Sequence, residues 1–332
     1  MSKSDPMSKS SPRVPRLTIG LPVYNGERYL AETLSCLLEQ TFGDFELIVC
    51  DNASTDGTGE ICRHFASGDS RVRYIRNAHN LGALPNFNRT AALGRAPFFK
   101  WAAHDDLCDP AYIAACMEIL DRDPNVILAH SDTAFIGEDG AEFAWDRETA
   151  SYVDPLTGIH QRPDRRDIGT SECAVGRFRQ VLSGALWGTH MFGVIRRPAL
   201  EKTNLLENFV SSDRALLAEL ALLGRFQACD QRLFKKRFHR QVSWTLDQQE
   251  LKDFLSTADK AYSRRSRQVR AFLGAPWGKP ITGAEKLACT GVVALHCAKI
   301  FGQALTMKDA RNAAKARVWR QDTPATSASG AE

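Results

Sequence analysis

With 332 residues, 43% of them hydrophobic, the chain is long enough to bury one large core or two smaller ones. Its 43 basic and 39 acidic residues leave a net charge of only +4, which excludes the strongly basic field of a nucleic-acid-binding domain. Nine cysteines fall singly, with no paired spacing of the kind that builds a zinc site or a redox motif, and they read as free thiols in a reducing cytoplasm.

Residues 1–15 are polar, contain prolines, lack the apolar stretch of a secretory signal and read as a disordered tail. From Leu17 to about His130, short apolar runs alternate with helical patterns, which predicts an α/β fold with a parallel sheet covered by helices. The predicted strands are Leu17–Leu21, Glu46–Cys50, Val72–Ile75 and Pro97–Trp101. A helix with an apolar stripe of Leu30, Leu34, Leu37 and Leu38 follows the first strand, and a helix over Thr58–Ala66 follows the second. Beyond Asp132 the pattern loosens, with a hairpin signal at Gly137–Gly140, helical periodicity near Ser171–Leu182 and Ser212–Leu223, and a strand-like Leu233–Arg237 between.

From 246 to 321 the chain is basic and mostly helical, and 322–332 reads as a second disordered tail. The apolar run Leu287–Cys297 lies between Lys286 and Lys299 and is shorter than the ~20 residues that cross a bilayer. Basic helices here, bearing Lys252, Arg264, Arg265, Arg267, Arg270, Lys286, Lys299, Lys308, Arg311, Lys315, Arg317 and Arg320, are candidates for peripheral contact with an anionic membrane.

In an open α/β sheet ligands collect beyond the carboxyl ends of the strands, where Asp51 and the pair Asp105–Asp106 fall. A hard divalent cation that bridges two phosphates wants carboxylate oxygens, which makes His104-Asp105-Asp106 the sharpest chemical signal; the competing reading is a solvated acidic turn before a helix over Pro110–Leu120. Asp51 is suited to accept a hydrogen bond from a nucleobase or ribose. Asp56, before Gly57, reads as a helix cap. No G-x-G-x-x-G follows the first strand, which argues against a dehydrogenase, and the Tyr24-Asn25-Gly26-Glu27 turn is not the glycine-rich basic loop of a nucleotidyltransferase.

The order PVYNGERYLAETLSCLLEQTFGDFELIVCDNASTDGT, then NLG, then FFKWAAHDD resembles the family 2 glycosyltransferases, strongly over Leu17–Ile113 and more loosely to about Trp244. The resemblance implies a GT-A fold, a Rossmann-like nucleotide-binding sheet with flanking helices, over 16–245, with a nucleotide-sugar half at 16–130, an acceptor half at 131–245 and a helical carboxy-terminal region. It also implies an inverting transfer from a nucleotide-sugar donor to a glycan, lipid-linked or other glycoconjugate acceptor, such as occurs in polysaccharide biosynthesis, in the cytoplasm or at the inner face of a membrane, with Mg²⁺ or Mn²⁺ as cofactor. Position by position, Pro22, Tyr24, Glu27, Asp51, Asn80, Gly82, Asn88, His104 and Asp105 match donor-binding positions, and Asp106 matches the metal ligand. Ala103 stands where many members carry the first aspartate of an Asp-x-Asp motif. The resemblance places the catalytic base at Asp213, with Asp132 as the next carboxylate, and a further metal ligand at His239. Trp187 and His190 are acceptor-side candidates, although Trp187 suits a core position as well. The reading from another class is a catalytically silent sugar- or nucleotide-binding protein on the same fold.

Overall fold

The computed structural model describes residues 13–155, 158, 160–184, 187–209, 211–239 and 264–300. The expected helical residues 246–263 and 301–321, most of the amino-terminal tail and all of the carboxy-terminal one lie outside the described residues. Leu17–Val23 (β1) is buried at every position, as a strand must be when a sheet is covered on both faces. Phe45–Asp51 (β2) and Val72–Arg76 (β3) extend the sheet on one side and Phe98–Trp101 (β4) on the other, all parallel. The crossovers are helices: Leu30–Leu38 (α1), Thr58–Gly68 (α2) and Ala83–Leu93 (α3). Leu30, Leu34 and Leu37 form the buried stripe of α1, as their spacing predicts.

Pro22 sits inside β1 without disrupting it. The Val23 carbonyl accepts from Asn52 N–H on the β2 side, so the Pro22 nitrogen faces β4, where the ladder has already ended at Gly20 opposite Trp101. A missing donor costs nothing where no acceptor waits.

The sheet then departs from an all-parallel plan. Its order is β3-β2-β1-β4-β10-β6-β11-β5, with Val194–Arg196 (β10) antiparallel between β4 and Val126–Ile136 (β6). Arg225–Arg237 (β11) runs parallel to β6 with register shifts, and Leu107–Cys108 (β5) closes the edge antiparallel to β11. Six strands therefore end at one edge and only β10 and β5 run the other way. The division at residue 130 falls inside β6, so both halves share this sheet. Three short strands, Ala144–Asp146 (β7), Ser151–Val153 (β8) and His160–Gln161 (β9), form a second sheet beyond the Gly137–Gly140 hairpin. The second sheet is anchored by a separate apolar cluster of Phe135, Phe143, Tyr152 and Phe238.

The remaining helices are Tyr112–Arg122 (α4), Ala174–Gly184 (α5), Arg197–Leu200 (α6), Ser212–Leu223 (α7), Arg264–Gly274 (α8) and a helix over 283–300 (α9). Leu216, Leu217, Ala218, Leu220 and Ala221 of α7 have no exposed surface, so this helix is core all round. Its one acidic side chain in that interior, Glu219, is paired with Lys279 Nζ at 2.6 Å. A buried carboxylate without such a partner would carry a desolvation penalty.

Candidate active site at the carboxyl edge of the sheet

The turns after β1 and β2 are stitched together. Asn25 N–H donates to Ser54 Oγ, Gly26 N–H to Thr58 Oγ1, and Glu27 N–H to Asp56 Oδ2, while Glu27 Oε2 accepts from Gly57 N–H. Asp56 Oδ1 also accepts from Thr58 N–H two residues on, an Asx-type turn; the N-cap of α2 is Gly57, so Asp56 stands one residue before the capping position expected of it. Glu27 thus ties two turns together, and Tyr24 projects from them, 45% exposed.

Asp51 closes β2 with no exposed surface. Its Oδ1 accepts from Ser54 N–H at 2.8 Å and its Oδ2 from Tyr74 Oη at 2.8 Å and Arg76 Nη1 at 2.5 Å. Burial opposes its charge, but the Ser54, Tyr74 and Arg76 hydrogen bonds outweigh that and hold the carboxyl below its ordinary range. Arg76, about half exposed, is the group this cluster presents outward.

The residues of the NLG loop serve the scaffold. Asn52, Asn77 and Asn86 are buried and, with the exposed Asn80, form an amide network in which Asn80 Oδ1 accepts from Asn52 Nδ2 and Gly82 N–H. Gly82 has φ +86°, a conformation that L side chains avoid. Asn88 spends both ends of its amide on the Leu206 backbone. These side chains position the loop.

The acidic pair lies between β4 and β5. Asp105 Oδ2 is 2.8 Å from His239 Nε2, just past the end of β11. Asp106 Oδ1 accepts from Arg237 N–H at 2.9 Å, whereas its Oδ2 is buried with no hydrogen-bond partner among the described residues. Burial disfavours the charge of Asp105, yet His104, His239 and Lys236 overcome it and hold that carboxyl well below its usual range. Asp106 is pushed up to about 6, first by burial and then by the Asp105 charge, against the opposing pull of Lys236. Two neighbouring carboxylates, one ionised and one with an unanswered buried oxygen, have the donor set that a hard divalent cation completes. His239, on the same pair, is within reach of that place. No cluster of three or more His, Cys, Asp or Glu side chains that could hold an ion occurs among the described residues, so the remaining ligands would be phosphate or water oxygens.

Across the site, Asp213 occupies the second position of α7, whose N-cap is Ser211 with φ +66°. Asp213 therefore lies in the first turn of the helix and not at its cap, because Ser211 takes the left-handed conformation that turns the chain. A Cβ on Gly188, which has φ +66°, would meet Asp213 Oδ2 at 2.0 Å, so only glycine allows this approach. Burial pushes the Asp213 carboxyl up, against hydrogen bonding and charge from Arg214.

The acceptor-side candidates divide. Trp187 is partly exposed, donates from Nε1 to the Arg162 carbonyl and packs against Phe238 and Phe135. His190 is buried, with Nε2 3.2 Å from the Arg165 carbonyl and its ring 4.3 Å from that of His130, so it lies behind the surface an acceptor would reach. Asp132 pairs with Arg166 at 3.3 Å on the outer part of β6.

Three residues escape sequence reasoning. Arg237, 1% exposed, reaches Asp106 through its backbone and Asp105 O, Gly137 O, Glu138 O and Glu32 through its guanidinium. Asp164 accepts from Trp187 N–H, Thr189 N–H and Thr189 Oγ1 and so shapes the turn before Asp213. Lys236 is the third. Burial works against its charge, but Asp106, Asp105, Asp164 and Asp213 more than offset this and hold the ammonium above its ordinary range. The only signal was the basic run Lys235-Lys236-Arg237 ahead of His239, and a basic strand end has many readings.

Fold and site together define a GT-A glycosyltransferase fold, a Rossmann-like sheet with acidic residues at its carboxyl edge. Two solved structures of S. aureus TarS residues 1–349 share it: the complex with UDP-GlcNAc aligns with TM-score 0.54 at 15% identity, over 85% of this chain and 72% of that one, and the UDP complex with TM-score 0.53 at 14% identity, over 83% and 69%. Residues 18–182 match the model of "Glycosyl transferase family 2", and the chain belongs to that family. Among relatives, the glycosyltransferase GlyG of Streptococcus pneumoniae is 28% identical over 115 residues, 34% of this chain and 38% of GlyG. GlyA of the same organism is 42% identical over 99 residues, 30% of this chain and 14% of GlyA. The chain thus spans well under half the length of these relatives.

Proposed function

We propose that this protein is an inverting, divalent-metal-dependent glycosyltransferase that moves a sugar from a nucleotide-diphosphate donor to a glycan or lipid-linked acceptor at the cytoplasmic face of a membrane, in polysaccharide or glycoconjugate synthesis. The observation that carries the reading is the unanswered, buried Oδ2 of Asp106 beside the ionised Asp105, with Asp213 across from them. TarS, on the same fold, is solved in complex with UDP and with UDP-GlcNAc, which supports a donor of this class.

In this reading, Tyr24 and the Asp51–Arg76 pair, in turns shaped by Pro22 and Glu27, face the nucleoside. Asp106, with Asp105 and His239 alongside, holds Mg²⁺ or Mn²⁺, which when bound neutralises the donor diphosphate. Lys236 supplies a fixed positive charge toward that diphosphate as the glycosidic bond breaks and charge accumulates on the leaving oxygen. Asp213 takes the proton of the acceptor hydroxyl as its oxygen attacks the anomeric carbon from the opposite side. A carboxyl whose pKa is raised is a better base for this task than a solvent-exposed one. Trp187 offers its partly exposed edge to the acceptor.

The test is Asp106→Asn. Asparagine keeps the oxygen that accepts from Arg237 N–H but loses the charge, so the fold should survive while Mn²⁺-dependent thermal stabilisation by a nucleotide sugar, and transfer, nearly vanish. Mn²⁺ dependence as in the parent protein would reject the assignment.

A further inference from the structure

Among the described residues, apolar exposure is concentrated in one place, and the three most exposed large hydrophobic side chains there are Leu287 at 75%, Leu295 at 73% and Trp277 at 64%. The two leucines lie on α9, and Trp277 lies in the turn that precedes it. One face of α9 is spoken for: Cys289 and Val293 are buried, and His296 packs edge-on to Phe272 of α8 at 6.0 Å. The opposite face carries Leu287, Ala288, Gly291, Ala294, Leu295 and Ala298, all exposed and none polar, up to Lys299. A surface helix places charge on its outer side, and a helix that is apolar all round belongs in an apolar medium.

We propose that this outer face of α9 rests on an anionic lipid surface. The charges around it choose lipid over a second copy of the chain. Outside the buried Lys279–Glu219 pair, residues 264–300 contain six basic side chains and a single acidic one, Glu285, so two copies brought face to face would repel, whereas a bilayer rich in acidic headgroups would attract. Lys286 Nζ lies 5.8 Å from the Trp277 ring centroid, directly beside Leu287. That arrangement puts an aromatic ring, an apolar anchor and a snorkelling ammonium together, the combination suited to the headgroup boundary. No helix among the described residues is long and apolar enough to cross a membrane, so the contact is one of lying on the surface. It gives the proposed transfer a route to lipid-linked acceptors, but its test needs neither donor nor metal.

The full chain is mixed with phosphatidylcholine vesicles and with vesicles containing one-third phosphatidylglycerol, and bound protein is measured by co-flotation. Binding to the anionic vesicles, weakened by salt, is expected. The double variant Leu287→Glu/Leu295→Glu, which alters only exposed positions, should lose roughly tenfold or more of that binding with an unchanged melting temperature. Three results would overturn the proposal: no preference for anionic vesicles, equal binding by the double variant, or binding that emerges only after removal of residues 301–332, which would make that segment the occupant. A dimer in light scattering that the double variant dissociates would assign the face to a second copy instead.

Discussion

At the scale of single residues, Asp213 and Lys236 carry the sharpest expectations. Asp213→Asn preserves size and the first turn of α7, and because Ser211 is the cap, no capping bond is lost. If the carboxylate takes the acceptor proton, turnover should fall by roughly 10²-fold or more with donor and metal affinity intact. Near-normal turnover in the folded variant would move the search to Asp132. Lys236→Met retains a stem that packs near Phe192, where the ammonium now lies 5.9 Å from the ring centroid, and removes the cation. Turnover at saturating donor should drop by roughly 10²-fold, with Lys236→Arg recovering much of it, because a positive charge aimed at the leaving group acts in the transition state. A methionine variant with parental turnover would leave Lys236 as no more than a neutraliser of its four carboxylates. The basic run beside His239 was visible in sequence as a candidate for contact with a diphosphate, but the separate positions of Lys236 and Arg237 were not. A strand alternates faces, but which of three consecutive basic residues meets Asp105 and Asp106, some 130 positions away, depends on β11 and β5 being neighbours in the sheet.

At the scale of elements, the turn over Trp187–Phe192 decides where Asp213 points, and Asp164 decides that turn. Its carboxyl, 2% exposed, is brought down to about 2; burial opposes this, and His190 together with the Trp187 and Thr189 donors prevails. Its folded-state pKa lies below the ordinary 3.8, so the stabilisation is fully present above about pH 4 and is lost as pH falls toward 2. The difference corresponds to about 2 kcal/mol. Urea unfolding across pH should show Asp164→Asn losing stability of this order at pH 7 and following a flatter curve between pH 4 and 2. A variant with the parental acid limb would refute the assignment. The sequence showed Asp164 only as one charge in a polar stretch. By contrast, α1, α2 and α7 were legible because their apolar spacing is local, and the boundaries of α7 fall where periodicity placed them. Strand β10 was not, because three residues carry no period, and the first half of β11 was missed because Arg225–Arg232 is too polar to read as a strand.

At the scale of the whole molecule, six strands ending at one edge gather the turns after β1, β2, β4 and β11 there, which is why residues as distant in sequence as Asp51, Asp106 and His239 fall along the same edge of the sheet. The sequence by itself determined the first half of the large sheet: four apolar strands, the helices α1 and α2 between them and the acidic pair follow from short-range patterns, and the motif order identified the family. It also marked Asp213 and His239 as candidates. Only the tertiary structure decided that Asp51 is saturated by Tyr74 and Arg76, that Asn80 and Asn88 brace backbone, that His190 is walled in beside His130, and that α9 leaves an apolar face uncovered. Those outcomes depend on which groups from remote parts of the chain satisfy or bury a side chain, and hydrogen bonding and burial between distant segments leave no periodic trace in the residues that take part.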